Sequence, residues 1–248
     1  MSDSFKEKLD KDEQAGNHPY IRPKDAATLL ILDRSGSGDV KLLMGRRHMR
    51  HTFMPGKFVF PGGRVDPGDS RISNVLPYHP QVEARLSEGL KNSKTAARVR
   101  AFALAAIRET YEEAGIFIGR KAEADQLRLG TGFEAFAERH VQPDLGGMRM
   151  IARAITPPQR PRRFDTRFLA IWADAIADKL PGGHGPSGEL EDCAWLTFDE
   201  AREKELPLIT IKILEDLETR LQLDPDLSPE TPVPYYFFKK GRFEKEML

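Results

Sequence analysis

The apolar positions of this chain fall into several short runs and one long helical stripe. Residues 27–32 form a nearly continuous apolar run, which is typical of a strand buried on both faces. A turn rich in Gly and Ser over residues 35–39 separates it from a second run at 40–44, which predicts an early hairpin. Residues 57–60 predict a further short strand. Over residues 95–114 the apolar positions recur at helical spacing, so this segment predicts a helix with one face on a core.

The second half of the chain predicts further strands and a final helix. Residues 149–155 and 168–173 read as paired strands, and residues 194–196 as a short one. Residues 206–221 predict a helix, and residues 235–238 predict an added strand after a Pro-rich stretch. Mixed strands with helices on both faces indicate an α/β fold, an α/β/α sandwich with a mixed β-sheet.

The same pattern divides the chain into three parts. Residues 1–22 are polar and predict a flexible tail, residues 23–223 predict a single domain, and residues 224–248 form a C-terminal extension. Within the domain, Val82, Leu86 and Leu90 lie at i, i+4 and i+8 and predict a short amphipathic helix. This helix has three alternative roles: a spacer packed on its own domain, a substrate lid, or a contact in a homodimer.

Composition narrows the class of protein. The 248 residues, 40% of them hydrophobic, suffice for one sizeable core. With 38 basic and 38 acidic residues the formal charge is zero, which gives no general attraction to nucleic acid or membrane surfaces. Cys193 is the only cysteine, and no apolar run has the length of a membrane span. We therefore expect a cytoplasmic protein with neither nucleic acid nor membrane as a partner.

Three acidic residues share one face of the long predicted helix. Glu109, Glu112 and Glu113 lie at i, i+3 and i+4, within one stripe of the helix surface. Clustered carboxylates repel unless a cation neutralises them, and oxygen ligands of this kind suit Mg²⁺ or Mn²⁺. The alternative is a solvated acidic face. Upstream, Gly62 and Gly63 follow a Phe-Pro pair and permit close approach of the backbone to a metal or phosphate.

These segments together resemble the Nudix hydrolases. The family signature begins with a Gly and an acidic residue and ends in Arg-Glu-aliphatic-x-Glu-Glu-x-Gly-aliphatic. Its second half matches the run Arg108 to Ile116, with Thr110 in place of the aliphatic residue. Its first acidic position falls on Asp69, and an insertion of roughly residues 70–100 separates the two halves. The enlarged signature resembles the subgroup that includes a peroxisomal coenzyme A diphosphatase of mammals.

The resemblance implies a Nudix-type sandwich and Mg²⁺- or Mn²⁺-dependent hydrolysis of a diphosphate linkage in a small nucleoside diphosphate substrate. It implies metal ligation by Glu109, Glu112, Glu113 and the carbonyl of Gly62. Arg108, four residues before Glu112, is expected to orient that carboxylate. Glu112 or Glu113 would activate the water, or a later loop acid would do so, with Glu189 as the candidate.

Two basic segments are candidates for contacts with substrate phosphates. One lies before the Gly-Gly turn and includes Arg46, and the other precedes a strand and includes Arg163. Coenzyme A or an acyl derivative is one expected substrate. ADP-ribose, NADH or another nucleotide is an alternative, and a non-catalytic module that senses nucleotides is a third. An enzyme acting on RNA is disfavoured because no aromatic-basic strip is evident.

Overall fold

A computed structural model describes residues 18–36, 38–50, 54–90, 94–123, 127–240 and 242–248. The strands, in chain order, are β1 Lys24–Asp33, β2 Lys41–Arg47, β3 Phe58–Val59, β4 Gly62–Arg64, β5 Ile116–Ile118, β6 Arg120–Lys121, β7 Val141–Gln142, β8 Arg149–Ile155, β9 Phe164–Trp172, β10 Ile176–Lys179, β11 Leu190–Thr197, β12 Pro234–Lys239 and β13 Arg242–Met247. The α-helices are α1 Pro80–Ser87, α2 Ala96–Ala114, α3 Glu134–Glu138, α4 Phe198–Arg202 and α5 Leu208–Leu223. Short 3₁₀ helices lie at Asp69–Arg71 and Ala173–Ala175.

Within the described residues, nine strands form one mixed sheet in the order β11-β2-β1-β9-β8-β12-β13, with β3 beside β2 and β4 beside β1. Strand β1 lies at its centre and pairs parallel with β9 and antiparallel with β2 and β4. Its residues from Leu29 to Leu32 are fully buried, because helices cover both faces of the sheet. The early hairpin and the paired strands β8 and β9 are thereby confirmed.

The core divides into two apolar layers, one on each face of the sheet. The first layer contains the apolar side of α2, including Phe102 and Ile107, together with α1. The second contains Ile213, Leu214 and Leu217 of α5. The predicted α/β/α sandwich with a mixed sheet is confirmed.

Helix α2 begins and ends where its sequence favours a helix terminus. The Thr95 hydroxyl accepts a hydrogen bond from the Arg98 amide at 3.3 Å, which caps the first turn. At the other end Gly115 has φ 68°, a left-handed conformation that glycine adopts without strain. The helix therefore carries its acidic residues in its last two turns, next to a fixed terminus.

The insertion packs on its own domain. Val82 and Leu86 of α1 are buried against the first core layer. Leu90 is also buried, but it lies beyond the end of the helix, so the predicted helix is one turn too long. The hydroxyl of Tyr78 donates to the carbonyl of Val99 at 3.2 Å, which ties the insertion to α2. These contacts favour the spacer among the three alternatives.

The C-terminal residues join the main sheet. Strand β12 pairs parallel with β8, and β13 pairs antiparallel with β12 at one edge. Tyr236 and Phe243 are buried in the second core layer. The strand predicted at residues 235–238 is confirmed, while the proposed domain limits stay predictions.

The N-terminal tail predicted for residues 1–22 lies outside the described residues up to residue 17. Among the helices described, none has the length and apolar character needed to cross a membrane.

Candidate active site

The three helix acids lie on the side of α2 that faces the Gly-Gly turn. Glu113 is only 2% exposed, whereas the side chain of Glu112 is 36% exposed. Glu109 lies between these extremes, with its side chain 17% exposed. The cluster therefore runs from a buried carboxylate to one in contact with solvent, as expected for the wall of a cleft. The alternative of a solvated acidic face does not hold for Glu113, which is buried.

Strand β4 holds the Gly-Gly turn against these acids. Gly62 and Gly63 pair with Thr28 and Ala27 of β1. The amide of Gly62 donates a hydrogen bond to Glu113 Oε2 at 2.9 Å. A Cβ on Gly63 would lie 2.4 Å from Glu109 Oε1, so only glycine leaves room for that carboxylate. Gly62 thus contacts Glu113 through its amide. Metal ligation by the carbonyl of Gly62 stays a prediction.

Arg108 organises the acidic cluster through more partners than its sequence position predicts. Its guanidinium donates from Nε to Asp69 Oδ1 at 3.0 Å and from Nη1 to Glu109 Oε1 at 2.8 Å. The predicted contact with Glu112 exists but is longer, at 3.3 Å. Burial alone would lower the pKa of Arg108, but the carboxylates of Asp69 and Glu109 raise it overall. Arg108 therefore stays charged at the centre of the cluster.

Asp69 also contacts this cluster, although it is not among the site residues predicted from the sequence. It is 2% exposed, and its Oδ2 also accepts the amide of Asp66 at 2.8 Å. Its position in the signature was the available signal, because it falls where the family has an acidic residue. The long insertion after Asp69 hides the contact in sequence, although in space Asp69 lies next to Arg108.

A loop from the other side of the site caps the end of α2 and brings Glu189 to the acids. The amide of Gly185 donates to the carbonyl of Glu113 at 3.2 Å, and the amide of Ser187 to that of Glu112 at 2.8 Å. These bonds satisfy carbonyls that the helix leaves unpaired at its end. Burial is the main cause that raises the pKa values of Glu109 and Glu113, and the charge of Glu189 adds a smaller rise. The predicted loop acid thus lies on the side of the acids where Arg47 is 3.5 Å from its carboxylate.

Arg46 and Arg47 are adjacent in β2, and their side chains lie on opposite faces of the sheet. Arg46 donates from Nε to Asp192 Oδ2 at 2.8 Å, and its Nη2 lies 3.4 Å from Glu191. Successive side chains of a strand point to opposite faces. Arg47 accordingly faces the acids: its Nη2 lies 3.5 Å from Glu189, and its charge partly opposes the rise that burial causes in the pKa of Glu113. The contacts favour Arg47 over the predicted Arg46 as the arginine next to the acids.

Arg163 makes contacts within its own part of the fold. Its Nε donates to the carbonyl of Thr156 at 3.0 Å, and its Nη1 to the carbonyl of Ile21 at 2.7 Å. The residue is 8% exposed and precedes β9. These bonds hold the guanidinium of Arg163 within its own part of the fold, and its contact with a substrate phosphate stays a prediction.

Burial and like charge make this cluster costly without a positive partner. Burial raises the pKa of Glu113 to about 8, with the Gly62 amide acting in the opposite direction and the charge of Glu109 adding to the rise. Burial also raises the pKa of Glu109, against the effect of Arg108. Arg108 and Arg47 together therefore do not offset the burial of these acids.

The acids of α2 offer the oxygen ligands that a hard divalent cation prefers, but their side chains are not yet arranged around one point. Among the described residues, no three acidic, histidine or cysteine side chains are close enough to form a ready-made metal site. Glu109 contacts Arg108 and Glu113 contacts the Gly62 amide. The donor set nevertheless consists of carboxylate oxygens, which Mg²⁺ and Mn²⁺ prefer. The space left by Gly63 also lets the backbone approach these oxygens.

Comparison with known proteins finds curated relatives and similar solved structures. No protein-family model matches the chain. The acyl-coenzyme A diphosphatase NUDT19 of Xenopus laevis is 28% identical, and the match covers 76% of this chain and 60% of that protein. The chain thus spans less than two thirds of this relative.

Two solved structures illustrate the similarity of fold. A NUDIX hydrolase from Alicyclobacillus acidocaldarius is 26% identical with a TM-score of 0.49, over 82% of this chain and 85% of the other. The MutT protein of Methanosarcina mazei Go1 is 14% identical with a TM-score of 0.46, over 82% and 98% of the two chains. Because both TM-scores lie below 0.5, neither structure supports an inference about activity.

Proposed function

We propose that this chain, whose resemblance to the Nudix hydrolases is confirmed by sequence comparison, hydrolyses the diphosphate linkage of a nucleoside diphosphate derivative. One observation carries the proposal: the Gly62–Gly63 turn and the acids of α2, distant in sequence, are in direct contact. The similarity to an acyl-coenzyme A diphosphatase supports coenzyme A or acyl-coenzyme A as the substrate class.

The proposed metal ligands are Glu109, Glu112 and Glu113, with the carbonyl of Gly62 as an added ligand. Bound Mg²⁺ or Mn²⁺ would neutralise charge on the phosphoryl oxygens and favour attack by water. Arg108 fixes Glu109 and Asp69 relative to each other, so the acids keep their positions when substrate enters. Glu113 is tied to the Gly62 amide, which restrains its carboxylate on the turn.

Glu189 is the proposed acceptor of the proton from the attacking water, with Glu112 and Glu113 as the alternatives. Its side chain is 42% exposed and so can reach a water in the cleft. Its carbonyl accepts the amide of His48 at 3.0 Å, which fixes the backbone of the loop. Arg47 Nη2 lies 3.5 Å from Glu189 Oε2, which restrains the carboxylate at this side of the acids.

The substrate class is tested by incubating the protein with Mg²⁺ and a panel of diphosphates, and by separating the products by mass. The panel contains coenzyme A, acyl-coenzyme A, ADP-ribose, NADH and diadenosine polyphosphates. We expect release of 3′,5′-ADP from coenzyme A, and loss of that release in Glu112→Gln. Cleavage of another panel member would support the proposed reaction but identify a different substrate class. If no member of the panel were cleaved with either Mg²⁺ or Mn²⁺, the proposed activity would be contradicted and a sensing module would be favoured.

Arg47→Gln is expected to raise KM for the diphosphate substrate by about tenfold, because a charge-assisted contact to a phosphate contributes about 1.5–3 kcal/mol. Arg46→Gln is the matched control, since its guanidinium is bound to Asp192 and it neighbours Arg47 in the same strand. Steady-state kinetics of both variants give the comparison. Equal effects on KM, or a larger effect for Arg46→Gln, would remove Arg47 from the substrate site.

A further inference from the structure

A glycine-rich loop crosses the end of helix α2 before it enters β11. It comprises residues 181–189, four of which are glycine, and Glu189 is its last residue. Apart from Gly185 and Glu189, the residues of this loop are exposed, so apolar packing does not hold it in place. The position of the loop must therefore depend on polar contacts with the elements that it crosses.

Two backbone hydrogen bonds attach the middle of the loop to the last turn of α2. They come from the amides of Gly185 and Ser187, at 3.2 and 2.8 Å, and reach the carbonyls of Glu113 and Glu112. We call residues 185–187 the strap. Because both bonds join main-chain atoms, they fix the backbone of the strap to the same two residues whose carboxylates belong to the acidic cluster.

The strap and the helix end lie so close together that each requires a glycine. The φ of Gly185 is not positive, so conformational freedom does not explain this residue. Space explains it, because a Cβ on Gly185 would overlap the carbonyl oxygen of Glu112 and lie 2.5 Å from the carbonyl carbon of Glu113. On the other side, a Cβ on Gly115 would lie 2.6 Å from the carbonyl oxygen of His184. Backbone therefore contacts backbone directly.

The strap connects directly to Glu189. The Ser187 hydroxyl accepts a hydrogen bond from the Glu189 amide at 3.2 Å. Beyond the loop, the carbonyl of Glu189 accepts the amide of His48 at 3.0 Å, and the buried Leu190 pairs with Arg47 of β2. The backbone of Glu189 is thus held on one side by the strap and on the other by the sheet.

We propose that Gly185 and Ser187 are positioning residues that hold Glu189 beside the acids of α2. Gly185 acts by allowing the strap to reach the helix, and Ser187 acts by bonding the amide of Glu189. The role of Glu189 as proton acceptor rests on the proposed function, whereas its placement depends only on the contacts of the strap. The alternative is a cap that stabilises α2 and has no effect on Glu189.

Gly185→Ala is expected to lower kcat by about tenfold to 100-fold, since the strap must move away from the helix and a displacement of about 1 Å at a reacting group can cost 100-fold. The KM should change little, because no group that binds a phosphate is removed. Gly183→Ala is the matched control. It lies in the same loop with φ 70°, and its Cβ would meet nothing within 4 Å, so it introduces backbone strain without a clash. An equal loss of kcat in both variants would overturn the proposal.

A double-mutant cycle separates positioning of Glu189 from stabilisation of the helix. In a background carrying Glu189→Gln, the carboxylate that the strap positions is absent, so adding Gly185→Ala should cause no further loss of kcat. The same loss in both backgrounds would show that Gly185 acts on the helix end itself, and would overturn the proposal.

Ser187 provides a second pair of variants at an exposed position, where folding is not at risk. Ser187→Ala removes the bond to the Glu189 amide but keeps the amide of Ser187 on the helix. We expect it to lower kcat by about threefold, the effect of one neutral hydrogen bond. Ser187→Thr keeps the hydroxyl and should retain the rate of the unmodified protein. An unchanged kcat in Ser187→Ala, or an equal loss in both variants, would contradict the role of Ser187.

Hydrogen-exchange mass spectrometry of residues 183–190 gives a readout that does not require turnover. The amides of Gly185, Ser187 and Glu189 all donate hydrogen bonds, so this peptide should exchange slowly in the unmodified protein and in Glu189→Gln. It should exchange faster in Gly185→Ala. Fast exchange in the unmodified protein would overturn the proposal even where hydrolysis is found. Slow exchange in a protein that cleaves no diphosphate would support the placement of Glu189 and contradict only the proposed function.

Discussion

Glu113→Gln is expected to lower kcat for the cation-dependent hydrolysis by about 100-fold or more, because removing a ligand or a fixed charge at a reaction centre has effects of this size. The substitution keeps the shape of the side chain and one oxygen, which still accepts the Gly62 amide. It removes the ionisable group from the most buried of the three acids, so this position can no longer offer a charged oxygen to a cation. Steady-state rates measured with Mg²⁺ over a range of concentrations give the comparison.

The thermal stability of the same variant provides a readout besides activity. A cation that binds only the folded protein raises its melting temperature as the cation concentration increases. We expect this rise in the unmodified protein and a much smaller one in Glu113→Gln. Without cations the variant should be at least as stable as the unmodified protein, since burial already disfavours the charged form of Glu113 and an amide is neutral at every pH.

The exposed Glu138, at the end of α3, gives a matched control for this substitution. Glu138→Gln should leave the rate and the response to Mg²⁺ unchanged. If Glu113→Gln retained both the rate and the thermal response, Glu113 would have no role as a metal ligand. Loss of rate with an unchanged thermal response would instead assign Glu113 to the chemistry alone.

The order of the elements could be predicted because local patterns determine them. The apolar stripe of α2, the threonine at its start and the glycine after its end all indicate the same helix. The buried run of β1 similarly indicates a central strand, which the structure confirms. In each case periodicity and end signals agree, so one interpretation satisfies all of them.

The site could be predicted where a motif lies on one element, and less well where contacts join distant elements. Glu109, Glu112 and Glu113 share a helix face, and helical spacing alone brings them together. Arg46 and Arg47 differ only in which face of β2 they occupy, and a shift of one residue in the assumed strand exchanges them.

Contacts across the insertion had even less support in the sequence. Asp69 lies next to Arg108 because the insertion folds back on the domain, and spacing along the chain does not reveal this. The same holds for the cavity lined by Tyr20, Leu90 and Tyr235, because these residues are distant in sequence. Such sites depend on tertiary packing and have no local periodicity to signal them.

Gly63→Ala is expected to reduce kcat/KM by about tenfold to 100-fold, since a displacement of about 1 Å at a reacting group can cost 100-fold. The added Cβ would lie 2.4 Å from Glu109 Oε1, so that carboxylate must move away from the turn. The atoms that it meets first belong to the end of a flexible side chain, so stability should change little. Kinetics and thermal unfolding of the variant measure the two effects separately.

Gly36→Ala gives the control, because a Cβ there meets nothing within 4 Å. A double-mutant cycle then decides whether the methyl group acts through Glu109. In a background carrying Glu109→Ala the clash is absent, so adding Gly63→Ala should cause no further loss of activity. An equal loss in both backgrounds would show that Gly63 acts on the substrate or the backbone instead. The cycle therefore tests whether the contact between the turn and Glu109 determines the activity.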